Sequence, residues 1–259
     1  MSKAERYIVG TSGYSFTDWV GTFYPAGTRR SEMLEQYVKH FKTVELNFTY
    51  YRMPTAAMLE RMAAKLPDDF ALWVKANQRT THQQDRSAAE PFLAALDPMT
   101  ASGKLAGVLL QFPQSFHRTV DNRNYLARTA DDFASVPLAV EFRHCSWDEP
   151  ATFAGLRQRG LTVVIPDVPE LPGLFRPRSV TATSPTGYLR LHSRTARKWY
   201  AGGAERYDYD YSTHELKAIL KDWAAVENEV EKVYTFFNNC HRGQAAHNAE
   251  SFLRLLDHV

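Results

Sequence analysis

Short runs of Val, Ile, Leu and aromatic residues recur along the whole chain, beginning at Tyr7 (YIVG), Thr43 (TVELN), Ala71 (ALWVKA), Gly107 (GVLLQF), Leu138 (LAVEF), Leu161 (LTVVI), Tyr188 (YLRLH) and Val233 (VYTFF). Each is short and rich in β-branched and aromatic types, which predicts eight strands. Several are apolar almost without interruption, as parallel strands covered on both faces are. Between the runs, apolar residues fall at helical spacing. Ser31 stands as a cap before Leu34, Tyr37, Val38 and Phe41, which share one face. Met58, Leu59 and Met62 mark a second helix, and Tyr125, Leu126 and Phe133 a later one. Thr213 caps a stripe of Leu216, Ile219, Leu220 and Trp223, and Ala249, Phe252, Leu253 and Leu256 form the last. The segment after the sixth run, PDVPELPGLFRPRSV, is too rich in proline for a regular helix.

Strands alternating with helices over 259 residues have the rhythm and length of a (β/α)8 TIM barrel. The expectation is a single domain spanning 1–259, with one irregular crossover after strand 6. A doubly wound open sheet would alternate in the same way, but GTSGYS at Gly10 matches neither GxGxxG nor GxxxxGK[ST].

In such a barrel alternate residues face inward, and chemistry gathers at the C-terminal ends of the strands. Glu45 and Asn47 share a face of strand 2, Trp73 and Lys75 of strand 3, Glu141 and Arg143 of strand 5, Arg190 and His192 of strand 7. Gln111 ends strand 4, Asp167 follows strand 6, and Asn238 and Asn239 follow strand 8. Strand starts are mostly apolar. Charges on the inner face of one rim must pair, stay wet or hold a charged ligand, because an unpaired buried ion is costly. Glu45, Lys75, Glu141 and Arg143 therefore make either a structural ion lattice or a site.

Composition narrows the partners. The chain is 44% hydrophobic and 23% charged with a net charge of +2, so no overall field marks a nucleic-acid or membrane binder. No run approaches the roughly 20 apolar residues of a membrane span, and MSKAERYIVG has no apolar leader core. Cys145 and Cys240 stand far apart with no CxxC, which points to reduced thiols and a cytoplasmic location.

GTSGYSFTDWVGTFYP, TVELNFTYYRMP, KANQRTTH, LLQFPQSF, AVEFRHCSW, YLRLHSR and FFNNCHRGQAAHNA resemble, in order and nearly end to end, the DUF72 family, also called YecE-like. The resemblance implies a TIM barrel related to the xylose isomerase and endonuclease IV type, and it brings no established reaction. Tyr14 stands where the family often has Trp, and Ser193 where HGR is usual; the second bears on the loop after strand 7.

Glu45 and Glu141 are positioned to exchange protons, with Lys75 as acid or electrophile, or, if its pKa falls, poised for Schiff-base chemistry. Arg143 and Arg190 suit a carboxylate or phosphate clamp, joined by His192. Asn47, Gln111, Asp167, Asn238 and Asn239 would orient the ligand, and Gly243 opens the last helix, where free amides bind phosphate. The loop from His192 to Ser212 interleaves Arg194, Arg197, Lys198 and Arg206 with Trp199, Tyr200, Tyr207, Tyr209 and Tyr211, a candidate lid with Trp199 and Tyr200 on the substrate.

The function expected is acid/base catalysis of lyase, isomerase or hydrolase type on a small anionic or sugar-like substrate, phosphorylated ones included. No cofactor or metal is expected: Glu45, Glu141, Asp167 and His192 carry donor atoms, but there is no HxH or HExxH. A glycosidase is disfavoured because Lys75 and Arg143 would depress both carboxyls and leave no proton donor. No GxSxG marks a serine hydrolase. The alternative is a nucleic-acid binding or processing protein, resting on the basic aromatic loop and on analogy with endonuclease IV.

Overall fold

A computed structural model describes residues 3–200 and 203–257. The strands β1 (Tyr7–Ser12), β2 (Thr43–Leu46), β3 (Ala71–Lys75), β4 (Leu105–Gln111), β5 (Leu138–Glu141), β6 (Thr162–Asp167), β7 (Thr186–Leu191) and β8 (Lys232–Phe237) pair in sequential order, all parallel. β8 returns to pair with β1 and closes a (β/α)8 barrel. Connecting helices are α1 (Met33–Tyr37), α2 (Ala56–Ala63), α3 (Ala89–Ala101), α4 (Val120–Asp132), α5 (Pro150–Gln158), α6 (Thr213–Trp223) and α7 (Gln244–Leu256). Between β6 and β7, residues 168–185 form no helix, as the prolines require. The vacated flank is a groove of about 800 Å³ reaching from β6 to α6.

Two helix starts differ from expectation. α1 begins at Met33 with Glu32 at its cap position and no side-chain capping bond, so Ser31 lies outside it. α6 is capped by Ser212 rather than Thr213: the Ser212 hydroxyl accepts from the Glu215 amide, and the Glu215 carboxylate reaches back to Ser212. That reciprocal arrangement satisfies two helix-end donors at once, which a cap one residue later would forfeit. The apolar stripes fall where the periodicity places them, with Leu216, Ile219, Leu220 and Trp223 buried on α6 and Ala249, Phe252 and Leu256 on α7.

Strand alternation divides the core. Outward residues such as Val44, Leu72, Val74 and Val140 pack beneath the helices. Inward residues Trp73, Leu109, Ala139, Val164, Tyr188, Tyr234 and Phe236 fill the barrel interior. Trp73 meets Tyr188 and Tyr234 edge-on, with centroids 4.7 and 5.5 Å apart, so the plug is aromatic and dense. A register shift beside Trp73 makes room for its ring opposite Gly107. A Cβ on Gly107 would sit 2.5 Å from the Trp73 ring and 2.7 Å from the Pro137 carbonyl. Gly107→Ala is therefore expected to cost about 1–3 kcal/mol in a urea titration, the range for overpacking a dense core. A neutral result would mean that the plug can yield.

Candidate functional site

Above the aromatic plug the inward positions turn charged. Glu45 on β2, Glu141 on β5 and Arg190 on β7 are buried to 1% exposure or less. Arg190 Nη2 donates to Glu45 Oε1 at 2.7 Å, and Nη1 donates to Glu141 Oε2. The Tyr188 hydroxyl donates to Glu45 Oε2 at 2.6 Å, so both Glu45 oxygens are taken. Arg143 Nη2 lies 2.7 Å from Glu141 Oε1. The two carboxylates thus form an ionic floor with two guanidiniums and a phenol. Burial acts to raise the Glu141 carboxyl, but Arg143 and Arg190 overcome it and hold the group well below its ordinary range. Arg190 is pulled the other way: burial lowers it, and Glu141 and Glu45 raise it above its ordinary value.

His192 sits at the edge of this floor. The Asn238 amide nitrogen contacts its Nδ1 at 2.9 Å and donates there, which puts the ring proton on Nε2, 3.4 Å from Glu141 Oε1. Burial and then Arg143 hold its pKa well below 6.5, so the imidazole is neutral.

Over the floor opens a cavity of about 390 Å³ at the C-terminal mouth. Lys75, Arg143, Arg190 and Arg206 line it, with Asn47, Gln111 and Asn238 between them. Lys75 Nζ donates to Gln111 Oε1 at 2.8 Å and lies 4.2 Å from the centroid of the Tyr50 ring, so its partners are neutral. Burial first, then Arg190, lowers its pKa from 10.5 to about 7. Asn47 Oδ1 and Arg143 Nη1 are buried on this wall without a hydrogen-bond partner among the described residues. An acceptor and a charged donor left unpartnered behind one wall are the groups that a ligand carrying both hydroxyl and anionic groups would satisfy.

The loop after β7 forms one side of the mouth. Trp199 is buried under Arg206, whose guanidinium carbon is 4.3 Å from its ring, and Tyr200 is 67% exposed. Tyr51, 72% exposed, lines the cavity from the β2 side. Arg194 pairs with Asp167 at 2.9 Å and Lys198 with Asp208 at 2.6 Å. These two charges therefore hold the loop's own shape.

Not every expected residue reaches the cavity. Asp167 is the last residue of β6 and opposite in parity to Val164, so its side chain faces outward into the flank groove and binds Arg194. Asn239 also points outward, donating at 2.7 Å to the Tyr209 carbonyl and to Asn248 Oδ1. Gly243 does cap α7, but a Cβ there would meet Thr22 and Phe23, and it is not part of the cavity wall. Glu45 is beneath the site rather than in it, with both oxygens occupied. Conversely, Tyr50, Tyr51, His82 and Gln114 line the cavity, and Tyr188 supports its floor. Tyr188 shares the parity of Arg190, a signal present in the sequence; Tyr50 and Tyr51 lie on the single turn Phe48–Tyr51, which no periodicity marks. Among the described residues no group of three or more His, Cys, Asp or Glu is placed to hold a metal ion. No described helix is long and apolar enough to cross a membrane.

Fold and site together define a (β/α)8 barrel protein with a cation-lined cavity at its C-terminal mouth, seated on a buried ion-pair floor. Its relatives place it more narrowly. The family profile described as "Protein of unknown function DUF72" matches residues 8–259, and the chain belongs to that family. UPF0759 protein YunF of Bacillus subtilis (strain 168) is 31% identical over 268 residues, covering 96% of this chain and 94% of that protein. A DUF72 family crystal structure from Thermotoga maritima aligns with a TM-score of 0.89 at 40% identity, covering 97% of this chain and 99% of that one. Another from Enterococcus faecalis aligns at 0.85 with 25% identity, covering 97% and 95%. A putative vitamin-B12 independent methionine synthase from Listeria monocytogenes, at 0.52 and 7% identity over 97% and 96% of the chains, shares the barrel fold alone.

Proposed function

We propose that the mouth cavity is the active site of an acid/base enzyme acting on a small anionic, hydroxyl-bearing molecule, sugar phosphates included. The observation that carries this is the charge balance of the wall. Lys75, Arg143, Arg190 and Arg206 border the hollow, whereas Glu45 and Glu141 are buried below it. A cavity edged by cations over sequestered carboxylates favours an anion.

Lys75 is the proton carrier in this scheme. Its pKa of about 7 lets it give and take a proton near neutrality, where general acids and bases work best. Glu141 stays ionised to hold Arg143 and Arg190 in place, and it is not a proton donor. Arg143, which lines the hollow, would grip the anion through its guanidinium, with Asn47 and Asn238 meeting hydroxyls.

Calorimetric titration with inorganic phosphate and glycerol phosphate tests the anion site. Arg143→Met is expected to weaken binding about 10- to 100-fold, the worth of a hydrogen bond to a charged group. Wild-type affinity should fall as pH rises through about 7, where Lys75 loses its charge. Equal affinity in wild type and Arg143→Met, or none in either, would overturn the assignment.

A further inference from the structure

We propose that Lys75 Nζ is a nucleophile that forms an imine with the carbonyl carbon of a small anionic aldehyde, ketone or keto acid held in the mouth cavity. This rests on the cavity being an anion site and adds the bond the enzyme makes there.

The first support is the placement of the amine. Lys75 ends β3, and its backbone carbonyl is fixed by the Thr49 hydroxyl at 2.6 Å. The Gln111 amide that meets Nζ is itself oriented, its Nε2 donating to the Phe112 carbonyl at 2.8 Å. A neutral amine has two hydrogens and one lone pair. Gln111 Oε1 takes one hydrogen at 2.8 Å, and the Tyr50 ring, its centroid 4.2 Å from Nζ, is placed to receive the other. The lone pair is left for the cavity.

The second support is the surrounding charge. Arg190 from β7 and Arg143 after β5 oppose the ammonium form; Glu45 from β2 and Glu141 from β5 favour it, but guanidiniums already engage both. His82, after β3, is neutral, its pKa lowered to about 4 by burial and by Lys75. Desolvation beside other cations is a recognised way to make a lysine nucleophilic. Arg143, with Nη1 unpartnered on the same wall, supplies the grip for a carboxylate or phosphate on the substrate.

The step balances without a co-reactant. The nitrogen lone pair attacks the carbonyl carbon, forming the C–N bond while the C=O π pair moves to oxygen. The nitrogen's two protons pass to that oxygen, which leaves as water, and a C=N bond remains. Once protonated, the imine draws electrons from the neighbouring carbon, so a C–H or C–C bond there can break.

Borohydride trapping reads this directly. Protein is incubated with glyoxylate, pyruvate or glyceraldehyde 3-phosphate, reduced, and examined by intact mass and peptide mapping. The expected result is one adduct, on Lys75, heavier by the probe less one oxygen, with labelling that rises through about pH 7. Lys75→Arg and Lys75→Met, checked for folding by circular dichroism, should lose that adduct, and Arg143→Met should label about tenfold less with the anionic probes but not with propionaldehyde. Adducts confined to other lysines, or unchanged in the Lys75 variants, would overturn the proposal. If wild type binds phosphate yet gives no Lys75 adduct, the imine alone fails. If it does neither, the anion site fails as well. An equal response to propionaldehyde and glyoxylate would remove the anionic requirement.

Discussion

Glu141→Gln is expected to destabilise the protein by about 3–5 kcal/mol, the cost of removing one partner from a buried ion network. Glutamine has nearly the shape of glutamate but leaves Arg143 and Arg190 facing a neutral amide, where they now meet Oε1 and Oε2. With Arg190 at 1% exposure, water cannot stand in for the lost charge. Urea titration at pH 7 should show the loss, and melting should occur about 10 °C earlier in a chain of this size. The folded Glu141 carboxyl is held below its unfolded value, so its contribution is present above about pH 4.5 and disappears as the pH falls below that. Glu141→Gln should therefore flatten the acid limb of the stability curve as well as lower it. A loss below about 1 kcal/mol at pH 7 would mean that the floor is not held by this charge.

Lys75→Met should do the opposite and stabilise the protein by about 3 kcal/mol at pH 6, after discounting for the open mouth above the amine. Each tenfold loss of proton affinity on folding corresponds to about 1.4 kcal/mol. Lys75 falls from 10.5 to about 7, chiefly by burial. Below pH 7 the wild type buries a charge and bears the full cost. Above 7 the folded amine is neutral while the unfolded one stays protonated, so wild-type stability climbs until about 10.5. The advantage of methionine should shrink across that window and vanish at its top. A gain independent of pH would show that apolar packing, not charge burial, was responsible. A stabilising change that also removes the trapped adduct would mark a position where stability is given up for chemistry.

The barrel was legible because its signal is redundant: eight short apolar runs, most followed by a segment with helical spacing, leave little freedom in how they close. The convergence of Glu45, Lys75, Glu141, Arg143, Arg190 and His192 followed from parity alone. The misplacements came from weighing nearness to a strand end above parity. Asp167 and Asn239 lie one step out of phase with their inward neighbours Pro166 and Asn238, and one step turns a side chain to the opposite face. Gly243 misled differently: it does cap α7, but the approach of Thr22 and Phe23 closes that helix start.

By itself the sequence determined which residues face the barrel interior, that the charged ones gather at the C-terminal strand ends above apolar starts, and which crossover cannot be helical. Those properties depend on local alternation and on proline stereochemistry, and they survive any choice of strand stagger. Only the tertiary structure decided depth and partnership. Glu45 and Glu141 look equivalent along the chain, yet Tyr188 and Arg190 close over the first, while Lys75 is left with a neutral amide and an aromatic face. Which cation meets which carboxylate depends on strands far apart in sequence, and the proton affinity of Lys75 follows from that pairing rather than from its neighbours in the chain.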